Sequence, residues 1–260
     1  MSPKISPLAY VDPAAKIADD VEIAPFAYVE GDVEIGKGCV LKPYASVLDG
    51  TRMGERNVVH QHALVGVRSQ SFRKQGAHPR LEIGNDNTIR EYAVLVKSLS
   101  DDTATTIGDH NFFMSTSHVG HNTVIEDHVV VGINGVVSGR CRVDSHAVLS
   151  TSSILFQGVH AGAYTVVSGG ARVRRDIPPF ITTTANPTSF YSVNHPLLER
   201  HGFSEKGLRH IAHAYEIVYR TKMDLADYIS RIEAEVPMDD YVRQILDFLR
   251  DTEARGGSII

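Results

Sequence analysis

Ser117-His118-Val119-Gly120-His121-Asn122-Thr123-Val124-Ile125 is the stretch on which the fold turns. Stepping outward by six from Val119 meets Phe113 and Ile107 on one side. On the other it meets Ile125, Val131, Val137, Val143, Leu149, Leu155, Ala161, Val167 and Val173. Four residues after most of these apolar positions stands a small one, among them Ser117, Thr123, Gly135, Cys141, Ala147 and Ser153. A repeat of six fits neither the 3.6 of a helix nor the alternation of an ordinary strand. It is the hexapeptide signature of a parallel β-helix. Three hexads make one triangular turn, so residues 18 apart stack on successive coils, about 4.8 Å from one another.

The same register runs back to the start of the chain through Ile5, Val11, Ile17, Ile23, Val29, Ile35, Leu41, Val47, Met53, Val59 and Val65. It fails twice. Residues 68–82 and 98–106 are polar, with Ser71, Ala77 and Asp101 in slots where the count demands an apolar side chain. Such interruptions read as loops thrown out from a rigid stack, which is where binding groups are commonly carried. The 26 apolar slots amount to about nine coils, a prism about 40 Å tall. A terminal coil is an open sheet edge and requires a cap. After Ile177-Pro178-Pro179-Phe180 the period changes to that of helices. Ser204, Asp224 and the pair Pro237/Asp239 are placed to start three of them, each with an apolar stripe. The expected organisation is therefore a β-helix over residues 1–180 and a C-terminal α-helical domain over 181–260.

Composition limits the function classes. The 260 residues are 42% hydrophobic and 22% charged, as in globular proteins, with a formal charge of −5 that disfavours nucleic acid as a partner. No run of about 18 apolar residues suggests a membrane span, and the first residues hold prolines instead of an apolar leader segment. A cytoplasmic protein is expected. Cys39 and Cys141 fall at inward small positions many coils apart and read as buried, reduced thiols.

Counting by eighteen from His121 reaches Gly139 and then Gln157, with His118 flanking around the corner. A histidine can take a proton from a nucleophile, and a bare backbone N–H above it can hold a developing oxyanion. Acyl transfer to a hydroxyl or amine needs that pair of groups. The count also stacks His110, His128 and His146 on another corner. Column spacing does not converge three imidazoles on one tetrahedral ion, so solvated turn histidines are expected there, and no metal. No glycine-rich phosphate loop follows a strand. Arg172, Arg174 and Arg175 form a basic cluster before the cap.

The hexads, Ser117-His-Val-Gly-His121, Asp176-Ile-Pro-Pro-Phe180, Asn194 and Arg200-His-Gly-Phe203 together resemble the UDP-N-acetylglucosamine O-acyltransferases of lipid A biosynthesis over essentially the whole chain. The resemblance implies a left-handed parallel β-helix and a homotrimer with active sites between subunits. It implies transfer of an R-3-hydroxyacyl chain from acyl carrier protein to the sugar 3-hydroxyl, with acyl carrier protein and UDP-N-acetylglucosamine as partners and no cofactor. By position, His121 matches the general base, Gly139 the oxyanion donor and Asn122 the residue that orients the base. His118, Gln157, Gln70, Arg73, Asn194 and Arg200 match substrate-contact positions, and Gly169 matches the small residue that lets the acyl chain pass. The chain departs from the family pattern at Asn122, where a carboxylate is usual, at Ser71, and at Arg140 and Phe156, where histidines are common. Other readings of the same scaffold are an acyltransferase on a 3-amino UDP-sugar, a γ-type carbonic anhydrase and a catalytically weak trimeric scaffold.

Overall fold

In the computed structural model, which describes residues 2–260, strands of two to four residues recur along the chain from Lys4 to Val193. They stack in parallel into three faces of 11, 9 and 8 strands. The first face runs from Lys4–Ile5, the second from Tyr10–Val11 and the third from Lys16–Ile17. The architecture is a left-handed parallel β-helix closed by a helical cap. A two-residue strand has no stability alone; each coil buries its inner side chains only against its neighbours. From Ile23 onward the hexad positions form one continuous buried column, and it runs on into the cap. Ile5, at the open end, is 42% exposed, as a first coil with no neighbour below must be.

Most corners turn through a residue in the left-handed region, three after the apolar slot. Asn122 (φ 58°), Arg140 (φ 60°) and Gly158 (φ 80°) are successive examples on one corner. A non-glycine residue there costs about 1–2 kcal/mol, and asparagine is among the residues that tolerate it best. Ladder bonds across the corner offset the cost: Arg140 N–H donates to His121 O at 2.8 Å, and Gly158 N–H to Gly139 O at 3.1 Å.

The two loops keep the register. Strand partners are 18 apart on the upper coils, as in His118↔Val136. Val58 pairs with Thr88, 30 residues on, and Val94 with His118, 24 on. The insertions are therefore 30 − 18 = 12 and 24 − 18 = 6 residues, whole multiples of a hexad. Both are shorter than expected, because Arg80–Ile83 and Ala104–Ile107 are already strand. In Arg80-Leu-Glu-Ile83 the inward Leu81 and Ile83 alternate with outward charges, a period of two that a count by six passes over.

The first sheet also outlasts residue 180. Thr182 pairs with Val166, and Phe190–Val193 returns antiparallel to Ile181–Thr183, so the 181–260 region opens with a hairpin before its helices. Four helices follow: α1 (His195–Arg200), α2 (Glu205–Arg220), α3 (Leu225–Glu235) and α4 (Asp240–Ala254). Ser204 and Asp239 cap α2 and α4 through their side chains, accepting from Gly207 N–H at 3.1 Å and Val242 N–H at 2.9 Å. The additional helix, α1, has six residues and too little periodicity to be read from sequence. Tyr215, fully buried on α2, ties the cap to the last coil by donating to Pro179 O at 2.5 Å.

Candidate active site

His118 ends its turn on the second face, and the chain then crosses to the third face at Val124 through Gly120, His121 and Asn122. Two glycines let this corner touch the coil above it. A Cβ on Gly120 would lie 2.6 Å from Gly139 N, so the coil above can approach only because residue 120 has none. A Cβ on Gly139 would lie 2.6 Å from His121 Nε2 and 2.8 Å from Cε1, so the imidazole rests against the bare backbone of the next coil. The other ring nitrogen, Nδ1, is 2.8 Å from Asn122 Oδ1. His118 stands alongside, and burial pushes its pKa below the ordinary imidazole value.

At several corners the N–H of the second residue is met by a side chain instead of the ladder. On the same corner lower down, Asp49 N–H is taken by Glu30 Oε2 at 2.8 Å; on a neighbouring corner, Asp109 N–H is taken by Asp127 Oδ1 at 2.7 Å. The N–H of Gly139, at the equivalent position, has no acceptor among the described residues. A backbone N–H without an acceptor, on a coil against which an imidazole packs, is the kind of group that can hold a carbonyl oxygen gaining charge.

His118, Gly120, His121, Gly139 and Gln157 line one cavity of about 310 Å³, and Gln70 closes its lower side. Five of the residues marked from sequence are thus together: His118, His121, Gly139, Gln157 and Gln70. Arg73 stays out in the 68–79 loop, exposed. Asn194 is buried at the start of α1, its amide donating to Tyr164 O at 3.1 Å. Arg200 is exposed at the end of α1, and Gly169 sits on another corner with only Thr151 O, at 3.2 Å, near its missing Cβ. A single chain does not bring these four into the cavity.

Sequence reasoning missed Ser69, Val96, Val136 and Ser138 in the lining. It also missed Leu99, Thr103 and Thr105, which bond to Asn122. The signal was present: both insertions leave the second face and re-enter on the third, so both stand on the corner that carries His121, one below the other. The 12- and 6-residue insertion lengths, read as whole hexads, place them there.

Other groups are otherwise engaged. His110, His128 and His146 stack as parallel rings 4.8 and 4.7 Å apart, with Tyr164 next at 4.5 Å and His201 edge-on to His146. Rings stacked face to face do not aim their nitrogens at a shared ion. Cys39 and Cys141 are free and buried, and burial pushes the Cys141 thiol up to about 12. A larger cavity of about 770 Å³ lies between the third face and α4. Several of its charges pair within its own walls: His160 Nε2 with Asp144 at 2.8 Å, Arg142 with Asp144 at 2.7 Å, and Arg255 with Asp251 at 2.8 Å. Among the described residues no helix is long and apolar enough to cross a membrane.

Comparison with known proteins adds family evidence to this geometry. A family model described as Udp N-acetylglucosamine O-acyltransferase, Domain 2, matches residues 176–258, and one described as Bacterial transferase hexapeptide (six repeats) matches residues 14–45. An acyl-(acyl-carrier-protein)–UDP-N-acetylglucosamine O-acyltransferase from Pseudomonas syringae is 44% identical over 227 residues, which is 87% of this chain and 88% of the relative. Its counterpart from Stutzerimonas stutzeri is 37% identical over 229 residues, 88% of this chain and 89% of its own. The crystal structure of a UDP-N-acetylglucosamine acyltransferase from Bacteroides fragilis superposes with a TM-score of 0.94 at 34% identity, covering 98% of this chain and 99% of that one.

Proposed function

The chain belongs to the acyl-(acyl-carrier-protein)–UDP-N-acetylglucosamine O-acyltransferase family, and from that premise we propose that it moves an R-3-hydroxyacyl group from acyl carrier protein to the 3-hydroxyl of UDP-N-acetylglucosamine, the first step of lipid A biosynthesis. The observation that carries the reading is the His121 ring seated where Gly139 lacks a side chain, one nitrogen tied to Asn122 and the other facing the bare Gly139 Cα. In the reaction His121 Nε2 takes the proton of the sugar 3-hydroxyl. The freed oxygen attacks the thioester carbonyl, and the Gly139 N–H holds the oxyanion of the tetrahedral adduct. Collapse expels the carrier-protein thiolate, which receives the proton from His121.

The remaining expectations fit an enzyme completed by its own copies. A cavity of about 310 Å³ has room for the sugar ring but not for the nucleotide and acyl chain as well. Asn194, Arg200 and Gly169 lie outside it on their own chain, and a homotrimer would present them to a neighbour's His121, Gly169 letting the acyl chain pass. The corner rings of Phe26, Tyr44, His62 and Tyr92 stack in an exposed column, a surface suited to burial against another copy. Gln70 and Arg73 would meet the sugar nucleotide from the loop, and exposed Arg172, Arg174 and Arg175 suit an acidic carrier protein. A cytoplasmic location goes with those substrates.

The test is a mixture of purified protein, UDP-N-acetylglucosamine and R-3-hydroxyacyl carrier protein, with the acylated sugar nucleotide measured by mass spectrometry. Product is expected, and His121→Ala should lower kcat by about 10²-fold or more. No product, or an unimpaired His121→Ala, would refute the assignment. Exclusive use of a 3-amino acceptor in the same assay would replace the hydroxyl with an amine and leave the mechanism standing.

A further inference from the structure

The six-residue insertion between the Val94–Val96 and Ala104–Ile107 strands folds back on the active corner. Leu99 N–H donates to Asn122 Oδ1 at 3.0 Å, and Asn122 Nδ2 donates to Thr103 Oγ1 at 2.7 Å. Thr105, in the strand after the insertion, accepts from the Asn122 backbone N–H at 2.8 Å. An amide has one accepting end and one donating end. A backbone N–H can only donate, so Leu99 claims the oxygen, and the Thr103 hydroxyl receives the NH₂ group.

That orientation decides the chemistry next door. With Oδ1 also 2.8 Å from His121 Nδ1, the imidazole must carry its hydrogen on Nδ1, which leaves the Nε2 lone pair free at Gly139. A reversed amide would turn NH₂ toward Nδ1 and put the ring hydrogen on Nε2, where no proton can be accepted. We infer that Thr103 is a positioning residue: with Leu99 N–H, its hydroxyl fixes the Asn122 amide and through it selects the tautomer of His121. The inference rests on His121 acting as the base.

A carboxylate at position 122 would be indifferent to this clamp, since both its oxygens accept. The dependence on Thr103 is a property of asparagine at that position, and it supplies a test that a merely structural role does not pass. The kinetics of Thr103→Val, Asn122→Asp and the double variant are measured on the acyl transfer. Thr103→Val should lower kcat about 5- to 10-fold with KM for the sugar nucleotide within twofold, a loss of about one neutral hydrogen bond. In the Asn122→Asp background the same change should cost less than twofold, and Thr103→Ser should restore the single variant. An equal fall in both backgrounds, or no fall with asparagine in place, overturns the inference. The ¹⁵N shifts of the His121 ring provide a readout independent of turnover: Nδ1–H in the parent, a mixed tautomer in Thr103→Val. If the parent acylates no sugar, the functional reading fails, and those shifts still decide the tautomer.

Discussion

Gly139→Ala separates the active corner from the scaffold that holds it. The added methyl would stand 2.6 Å from His121 Nε2, 2.8 Å from Cε1 and 2.9 Å from Cδ2, with ordinary contact beginning at 3.4 Å. The ring must therefore retreat by 3.4 − 2.6 = 0.8 Å. The atoms met first belong to a partly exposed side chain, so the fold can yield without breaking a ladder bond. Gly139 has no positive φ to relieve, and replacing glycine by alanine at a compatible site adds about 0.4–1 kcal/mol of stability through the unfolded chain. Catalysis has no such slack. A misplacement of about 1 Å costs about 10²-fold in rate, or about 2.7 kcal/mol of barrier. The expected variant melts within a few degrees of the parent and loses kcat by about two orders of magnitude. Gly120→Ala provides the contrast, because its methyl meets Gly139 N at 2.6 Å and Ser138 C at 2.8 Å, which are backbone. It should lower the melting temperature by several degrees, an overpacking cost of about 1–3 kcal/mol. Paired thermal melts and steady-state assays check both. A Gly139→Ala protein with parental kcat would refute the placement of the base on the bare Gly139 backbone.

Asp101 clamps the longer loop from the coil above it, its carboxylate accepting from His78 N–H at 2.6 Å and Ala77 N–H at 3.1 Å. Asp101→Ala removes both bonds, frees the segment that carries Gln70 and should raise KM for the sugar nucleotide about 10-fold, with a smaller effect on kcat in saturating substrate; an unchanged KM would show that the loop holds its shape without the clamp. The histidines predict acid sensitivity. Burial depresses the pKa of His118, and burial with the neighbouring His201 and His128 depresses that of His146, both from an ordinary 6.5. The unfolded chain therefore takes up protons first as the pH falls, and the associated stability, intact above about pH 7, is lost as the pH drops through 6.5 toward the folded values. Melting temperatures by circular dichroism from pH 8 to 5 should fall over this range, less steeply in His146→Gln; a flat profile contradicts the burial of these rings. Carboxylates act lower: the pKa of Glu91, held down to about 2 by Arg90, governs losses only below about pH 5.

The prism was legible because each coil repeats one constraint. Val119, Val137 and Leu155 must all face inward, and nothing but a period of six puts them there. The column of His121, Gly139 and Gln157 comes from the same arithmetic, since from the second insertion up to Val173 each coil is 18 residues long. Across the two insertions the count by eighteen breaks, and only the insertion lengths, whole hexads of 12 and 6, indicate that Gln70, Leu99 and Thr103 share the His121 corner. Their bonds depend on the path of irregular backbone, which leaves no period in the sequence. The cap was legible through its end signals, Ser204 and Asp239, and illegible between Ile181 and Val193. There the hairpin pairs antiparallel with a register shift and keeps no hexad. Cavity membership does not follow the repeat alone: Gln70, in the first insertion, lines the cavity, Gly169, on the repeat, does not, and Asn194 and Arg200 cap and end α1, which begins only after the repeat has ended.

The active corner is specified as much by absent side chains as by present ones. His121 can lie on the next coil only if residue 139 has no Cβ, and that coil can come close enough only if residue 120 has none. The imidazole is thus fixed from above by backbone and from the side by Asn122, with the 98–103 insertion holding the asparagine in turn. A neutral amide orients the ring but offers no charge to the imidazolium that forms when it takes a proton. In the mechanism proposed above, the negative half of the charge developing in the transition state falls to the Gly139 N–H. On that mechanism, asparagine at 122 would shift the weight of catalysis from the base toward the oxyanion site. For that reason Gly139→Ala, which disturbs both groups at once, should be more damaging than any single change at position 122.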